Sequence, residues 1–377
     1  MEATTAIIPT FNRATLLKAC LDAVMAQTLP PAEILVVDDG SSDDTAAIAQ
    51  SFGEPVTFVR KPGNSGKARS LNLALERAQH ALIWVIDDDD IVEPDALEKL
   101  TWMLRERPEA GFSYGRHLRF SEDETGQRTL GDTGYWCTCA PDDFLTATLE
   151  DFFVHQPGML TRKALYDEVG PFDESLMRSQ DYDMLVRLAR AAPCIGTEDV
   201  VFLQRQHEGL RGEAGRQFGA AERDAKWMAY DARIFRTLFA DIELDEFLPR
   251  GHAMETKLDE RRALIQRGVV YARKSLWDLA VPDFELAGES GDGPLSADEV
   301  AILRRAFASK YGCADILEDK TLIDRLRRLK LAEPGGGEIL SELARGLRWR
   351  VREAAQSGAY RRAAHLAGRV VSMTLAR

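Results

Sequence analysis

The sequence predicts an α/β fold, with a mostly parallel central sheet flanked by helices and a helical C-terminal region. Two observations carry this. From Ala6 to Ile86, short unbroken apolar runs alternate with stretches of helical apolar spacing, the pattern of strands buried on both faces and joined by crossover helices. From about Arg216 onward the strand signals fade into sequence rich in Ala, Leu, Arg and Glu. The expected division is residues 1–215 and residues 216–377, and a chain of 377 residues suits two domains better than one.

The strands come first. Ala6-Ile7-Ile8 ends at Pro9, and Ile34-Leu35-Val36-Val37 closes in the turn-forming Asp38-Asp39-Gly40-Ser41. Val56 to Val59 is a third strand, and Ala81 to Ile86 a fourth that runs into four consecutive aspartates, Asp87 to Asp90. Between them, Ala14–Gln27, Asp43–Ser51 and Lys67–Gln79 repeat apolar residues at helical spacing. In parallel sheets ligands bind beyond the carboxyl ends of the strands. Those ends carry Pro9 to Arg13, Asp38-Asp39 and Asp87 to Asp90, so unlike polar groups are expected at one crevice.

The C-terminal region breaks at Glu289–Pro294 and Pro334–Gly337. Two stretches in it, Arg267–Ala287 and Ala355–Val371, loosely match paired-helix repeats of the tetratricopeptide kind, beside the plainer reading of a helical appendage. The segment from Arg345 to Arg377 is basic and amphipathic, which suits either a helix packed on its neighbours or contact with an anionic membrane surface.

Composition narrows the function. A net charge of −13 argues against nucleic acid as a partner. No apolar run reaches the roughly 20 residues of a membrane span, and no secretory signal opens the sequence. Five scattered cysteines with no zinc spacing fit a reduced cytoplasmic setting. The four-aspartate run stands out because adjacent carboxylates repel and raise one another's pKa. A hard divalent cation, Mn²⁺ or Mg²⁺, relieves that repulsion, beside the plainer reading of a solvated acidic loop. On an extended segment neighbours alternate sides, so Asp89 and Asp87 are the foremost ligands, Asp88 points away, and Asp90 is a ligand or a helix-start residue. An EF-hand loop is excluded by the missing glycine at the sixth position. A Rossmann site is excluded because the first strand leads into Pro9-Thr10-Phe11-Asn12-Arg13 without a glycine-rich turn.

Six segments in order resemble the family 2 glycosyltransferases, inverting enzymes of the GT-A fold, over about residues 4 to 210. Ile7 to Arg13 is similar to the family's first strand and nucleotide loop, and Val36 to Asp43 to its second-strand motif. Asn64-Ser65-Gly66-Lys67-Ala68-Arg69 with Asn72 resembles its donor-side segment, and Ile86 to Asp90 its Asp-x-Asp metal motif. His155–Arg162 with Gly170–Glu174 resembles the acceptor side, and Ser179-Gln180-Asp181-Tyr182-Asp183 stands where the family carries Glu-Asp. The resemblance implies transfer of a sugar from a nucleotide-diphosphate sugar, by default a UDP-sugar, to a hydroxyl on a glycan, lipid-linked glycan or protein, in the cytoplasm or at the inner membrane face. It assigns the catalytic base to Asp181, with Asp183 as fallback and helix capping as the plain alternative. It places Pro9, Thr10, Phe11, Asn12 and Arg13 at the nucleotide, with Asp38 and Asp39 competing to read its base. Asn64, Gly66, Lys67, Arg69, Asp87 and Asp88 fall beside the donor, and His207 falls near the metal or diphosphate, with Arg205 and Arg211 as phosphate ligands. Gln180 replaces the usual glutamate. Trp136 is either an acceptor-stacking or a core aromatic. The competing readings are a nucleotidyltransferase, which lacks its basic glycine-rich loop here, and a scaffold that binds glycan or nucleotide without turnover.

Overall fold

The structure is a computed structural model that describes residues 2–123, 125–206, 220–290, 293–313, 316 and 319–374. Residues Met1–Phe144 and Phe152–Gln217 form one compact unit, and Leu145–Asp151 with Phe218–Arg377 form a second.

In the first unit β1 (Thr4–Thr10), β2 (Glu33–Asp38), β3 (Val56–Arg60) and β4 (Leu82–Val85) alternate with α1 (Ala14–Met25), α2 (Thr45–Ser51) and α3 (Lys67–Arg77). The chain continues through β5 (Ile91–Val92), α4 (Ala96–Glu106), β6 (Phe112–Glu122), β7 (Arg128–Leu130), α5 (Phe144–Glu150), β8 (Met159–Arg162), α6 (Lys163–Val169), α7 (Gln180–Ala191) and β9 (Cys194–Arg205). Among the described residues these strands make one sheet in the order β3-β2-β1-β4-β8-β6-β9-β5, with β7 paired to β6. The β3-β2-β1-β4 portion is parallel. Here the expected and observed strands coincide, because residues such as the wholly buried Thr4–Thr10 leave no polar face to water.

The other half of the sheet lies beyond the four strands read from the sequence. β8 runs antiparallel to β4 and to β6, and β6 runs parallel to β9 with a register shift at Gly115 and Arg116. β6 reads Phe-Ser-Tyr-Gly-Arg-His-Leu-Arg-Phe-Ser-Glu, with no continuous apolar run to announce it. Register sets the position of the site. Thr10 sits opposite Asp38, and Asp38 opposite Arg60, so these strands stop together. On the other side of β1, Ile7 pairs with Val85, which brings the aspartates after β4 alongside Pro9 and Thr10. Leu17, Cys20, Leu21 and Val24 of α1 pack on the sheet in a core that includes Ile8, Val36 and Trp84, and the buried Trp84 indole donates to Pro157 O at 2.9 Å.

The second unit contains α8 (Ala220–Leu238), α9 (Lys257–Arg273), α10 (Trp277–Glu289), α11 (Ala297–Arg304), α12 (Lys320–Arg328), α13 (Gly336–Gln356) and α14 (Tyr360–Thr374). Capping boxes start α9 at Thr256 with Asp259 and α11 at Ser296 with Glu299. Of the two stretches singled out for helix pairing, Arg267–Ala287 spans the end of α9 and most of α10, while Ala355–Val371 lies almost wholly on α14. At Gly268 the first pair approaches so closely that a Cβ would stand 2.6 Å from the Phe284 ring. No described helix is long and apolar enough to cross a membrane.

α5 enters this unit and ends in two buried acids. Glu150 accepts from Gln266 Nε2 at 2.9 Å and from Arg305 Nη2 at 2.6 Å, while Asp151 pairs with the buried Arg273. Lys274, also buried, donates to Glu150 O at 2.9 Å, and burial lowers its ammonium pKa to about 8. Removing one partner from such a set strands the others without water. Asp151→Ala is therefore expected to cost about 3–5 kcal/mol in chemical denaturation, while Asp142→Ala, at an exposed site, should stay within about 0.5 kcal/mol.

Candidate active site

The loops after β1 and β2 are fastened to each other. Asn12 sits at φ 51, donates its N–H to Ser41 Oγ at 2.8 Å and accepts from Ser42 N at 2.7 Å. Asp38 is fully buried and organises the turn, accepting from Ser41 N at 3.0 Å and Ser41 Oγ at 2.5 Å. Its other oxygen faces Arg60 Nε at 3.5 Å. Asp39 accepts from Ser65 N and Gly66 N, both at 2.8 Å, and pairs with Lys61 Nζ at 2.6 Å. The donor-side loop thus hangs on Asp39. Both turn aspartates already carry bonds from their own chain, while Asn64 stands exposed on the loop they hold. Lys61 was not anticipated; its only signal in the sequence is a lysine directly after a strand whose neighbour ends in aspartate.

The four aspartates form a turn, closed by Asp90 N–H donating to Asp87 O at 3.1 Å, and not the extended segment expected, so neighbours do not simply alternate sides and Asp89 and Asp90 fall together. Asp88 turns inward to Arg13, whose Nη1 lies 2.9 Å from both Asp88 and Asp89. Burial pushes the Asp88 carboxyl up to about 6 against the pull of Arg13. Asp87, Asp89 and Asp90 gather on the other side, each offering an oxygen within 4.8 Å of the others. Asp90 is buried; that burial, with Asp89 and Asp87 alongside, raises it well above the usual carboxylate range. Arg205 secures the cluster from β9: its N–H donates to Asp90 Oδ1 at 2.9 Å and its Nε to Asp89 O at 2.9 Å, and Nη1 reaches Glu122 at 2.8 Å. Arg205, expected at the phosphates, is in this structure a brace for the acidic segment.

Lys67 begins α3 with its ammonium on Asp87. Burial opposes its charge, yet Asp87 and Asp181 nearby hold its pKa above the ordinary value. Asp181 lies in the first turn of α7 after Ser179 at φ 57. Burial raises its carboxyl, with Lys67 pulling down and Asp87 pushing up, so the three charges share one neighbourhood. Asp183, two residues on, is taken by Arg187, which bonds it at 3.0 and 2.8 Å and ties it to Val169 O. Arg69 is exposed and pairs with Glu174 at 3.2 Å. Asn72 clamps the backbone of Phe172 through both ends of its amide. Trp136 donates to Glu198 at 2.9 Å and packs 5.7 Å from Phe153. Pro9 and Thr10 are buried in β1 and Phe11 half-buried beyond it. His207 and Arg211 lie outside the described residues.

Residues 5–170 match the family described as Glycosyl transferase family 2. Relatives include an uncharacterized glycosyltransferase of Rickettsia conorii, 28% identical over 207 residues, covering 53% of this chain and 33% of its own. Another, from Bacillus subtilis, is 29% identical over 189 residues, covering 49% of this chain and 67% of its own. The chain spans between 33% and 63% of the length of the first four curated relatives. Among solved structures, Staphylococcus aureus TarS superposes with a TM-score of 0.52 at 16% identity, over 90% of this chain and 54% of that one. The mannosyltransferase PcManGT of Pyrobaculum calidifontis, in complex with GDP-Man and Mn²⁺, gives 0.50 at 18%, over 85% and 82%. The fold is that of the GT-A transferases. Over residues 5–170 the chain is similar to the family 2 glycosyltransferases.

Gly40 tests how the turn aspartates depend on backbone. It adopts φ +85, and a Cβ there would stand 2.9 Å from Gly63 Cα and 3.2 Å from Asn64 N. Gly40→Ala combines dihedral strain with backbone overlap, and a loss of about 2–3 kcal/mol is expected in urea denaturation. Gly53→Ala, at φ +63 with open space around it, should lose about half as much.

Proposed function

We propose that this protein transfers a sugar from a nucleotide-diphosphate sugar to an acceptor hydroxyl with inversion at the anomeric carbon, using a divalent cation. The observation that carries the reading is the acidic triad Asp87, Asp89 and Asp90, gathered within 4.8 Å, with Asp181 within electrostatic reach of Lys67 and Asp87. An all-carboxylate donor set suits a hard ion, Mn²⁺ or Mg²⁺, and the raised carboxyl of Asp90 beside two other acids marks a cluster that a cation would relieve. Asp87, Asp89 and Asp90 would hold such an ion, which would supply positive charge for the diphosphate leaving group. The similar mannosyltransferase from Pyrobaculum calidifontis was solved with GDP-Man and Mn²⁺, which supports a nucleotide-sugar donor; a UDP-sugar is the proposed default.

The chain's own residues divide the remaining work. Asp181 accepts the proton of the acceptor hydroxyl as its oxygen attacks the anomeric carbon, and the bond to the nucleoside diphosphate breaks. Lys67 pairs with Asp87 and lies within electrostatic reach of Asp181, so it steadies Asp87 and keeps a positive charge beside the departing oxygens. Asp39, through Ser65 and Gly66, fixes the loop that carries Asn64 and Lys67. Arg13 ties Asp88 to Asp89 at the edge of the triad. Asp183 does not share the base role in this scheme, because Arg187 holds it. Both the triad and Asp181 are present, which favours turnover over binding alone.

Asp181→Asn separates the two acids. It keeps shape and removes the proton acceptor, so release of nucleoside diphosphate from the donor should fall by about 10²–10⁴-fold with the donor KM little changed. Asp183→Asn should lower thermal stability instead and leave turnover within a few-fold. A loss of turnover in Asp183→Asn with Asp181→Asn unaffected would reverse the assignment.

A further inference from the structure

The C-terminal hairpin concentrates charge of the opposite sign to the chain as a whole. Residues 345–377 hold eight arginines and one acid, Glu353, in a protein of net charge −13. Helical geometry sorts these residues. Leu347 and Ala354 of α13, with Ala363, Leu366, Val370 and Met373 of α14, are buried. The apolar face is therefore used inside the unit and is not available for insertion into a bilayer. The outer face of α13 presents Arg345, Arg348, Trp349 and Arg352, spaced at three, four and seven residues along one stripe. α14 opens with exposed Tyr360, Arg361 and Arg362. Among the described residues, Arg348, Arg352, Arg361 and Arg362 have no ion pair or hydrogen bond, whereas Arg345 is held by Glu342.

Two further features make this more than a solvated face. Trp349 is 38% exposed and Tyr360 73%, and the Arg350 guanidinium stacks 4.0 Å over the Trp349 ring. Amphipathic aromatics beside arginine are the side chains that settle at headgroup level. Beside them, at the turn between the helices, a cleft of about 250 Å³ is lined by Lys310, Tyr311, Arg350, Ser357 and Arg362, with Glu353 as its one acid. Arg350 there is engaged with Phe307 O, Ser309 O and Glu353, so Arg362, which carries no ion pair among the described residues, is the cation that the cleft presents to a phosphate.

We propose that this hairpin face docks the protein on an anionic phospholipid surface, with the cleft receiving a headgroup phosphate and Trp349 and Tyr360 lying at the interface. Uncompensated arginines on an otherwise acidic protein orient that face toward negative lipid, and each such residue strengthens the attraction within a Debye length of the membrane. The inference stands independently of the donor and the transfer chemistry.

The test is co-sedimentation of the full chain with vesicles of mixed phosphatidylglycerol and phosphatidylcholine, against vesicles of phosphatidylcholine alone. Binding is expected only to the anionic vesicles and is expected to vanish near about 1 M salt, where the Debye length falls to about 3 Å. The variant Arg348→Glu/Arg352→Glu/Arg361→Glu/Arg362→Glu should partition on the order of 100-fold less. The milder set with glutamine at the same four positions should weaken binding by an intermediate factor and guards against misfolding of the first. No binding to anionic vesicles, equal binding to both vesicle types, or undiminished binding of both variants would overturn the proposal. So would complete displacement by millimolar glycerophosphate, which would show a site for a single soluble phosphate and not for a bilayer.

Discussion

Everything at the proposed site turns on how four carboxylates are held at the end of one strand. Side by side in a half-buried crevice, they repel and lose their preferred hydration. The fold answers by dividing them. Arg13 draws Asp88 inward, Lys67 meets Asp87, and the backbone N–H of Arg205 meets Asp90. Each answering group comes from a different element, the loop after β1, the start of α3 and the end of β9, so the strand order of the sheet is what makes the cluster tolerable. The remaining excess of negative charge on Asp87, Asp89 and Asp90 is the feature that points to a cation.

The same chain shows what a purely structural acidic pair looks like. Glu150 and Asp151 are as buried as Asp90 and Asp88, yet they meet Gln266, Arg273, Lys274 and Arg305 in a set where cations are plentiful. Arg305 and Gln266 hold the Glu150 carboxyl below its usual range despite burial. Asp90 and Asp181 are raised instead. The contrast lies in the supply of positive partners, not in depth, and it separates a cluster that closes on itself from one that has capacity for a ligand.

Much of this was legible in the sequence because parallel strands buried on both faces need unbroken apolar runs, and Ile7-Ile8, Ile34 to Val37 and Leu82 to Ile86 are such runs. Polar residues following them had to collect at one edge. The separation of Asp88 from Asp87 and Asp90 was expected from strand alternation, but its cause is a turn closed by Asp90 N–H on Asp87 O, which the sequence pattern did not announce. The antiparallel half was obscure because β6 mixes Arg116, His117 and Arg119 into a strand whose partners lie far along the chain. Lys61, the brace of Asp39, and Arg205, the brace of Asp89 and Asp90, were obscure for the same reason. A charged residue's partner is set by pairing across the sheet, which single-sequence spacing does not encode. The involvement of α5 in the second unit likewise depends on buried ion pairs with residues more than a hundred positions away.

The most direct test of the account is a thermal-shift measurement with UDP, GDP and their sugars, each with and without Mn²⁺, on the wild type and on Asp89→Ala. A ligand that binds only the folded state raises the midpoint by mass action. The account predicts a rise for one nucleotide in the wild type that requires Mn²⁺ and is lost in Asp89→Ala. A rise that is independent of Mn²⁺, or that persists in Asp89→Ala, would contradict a cation held by the acidic triad.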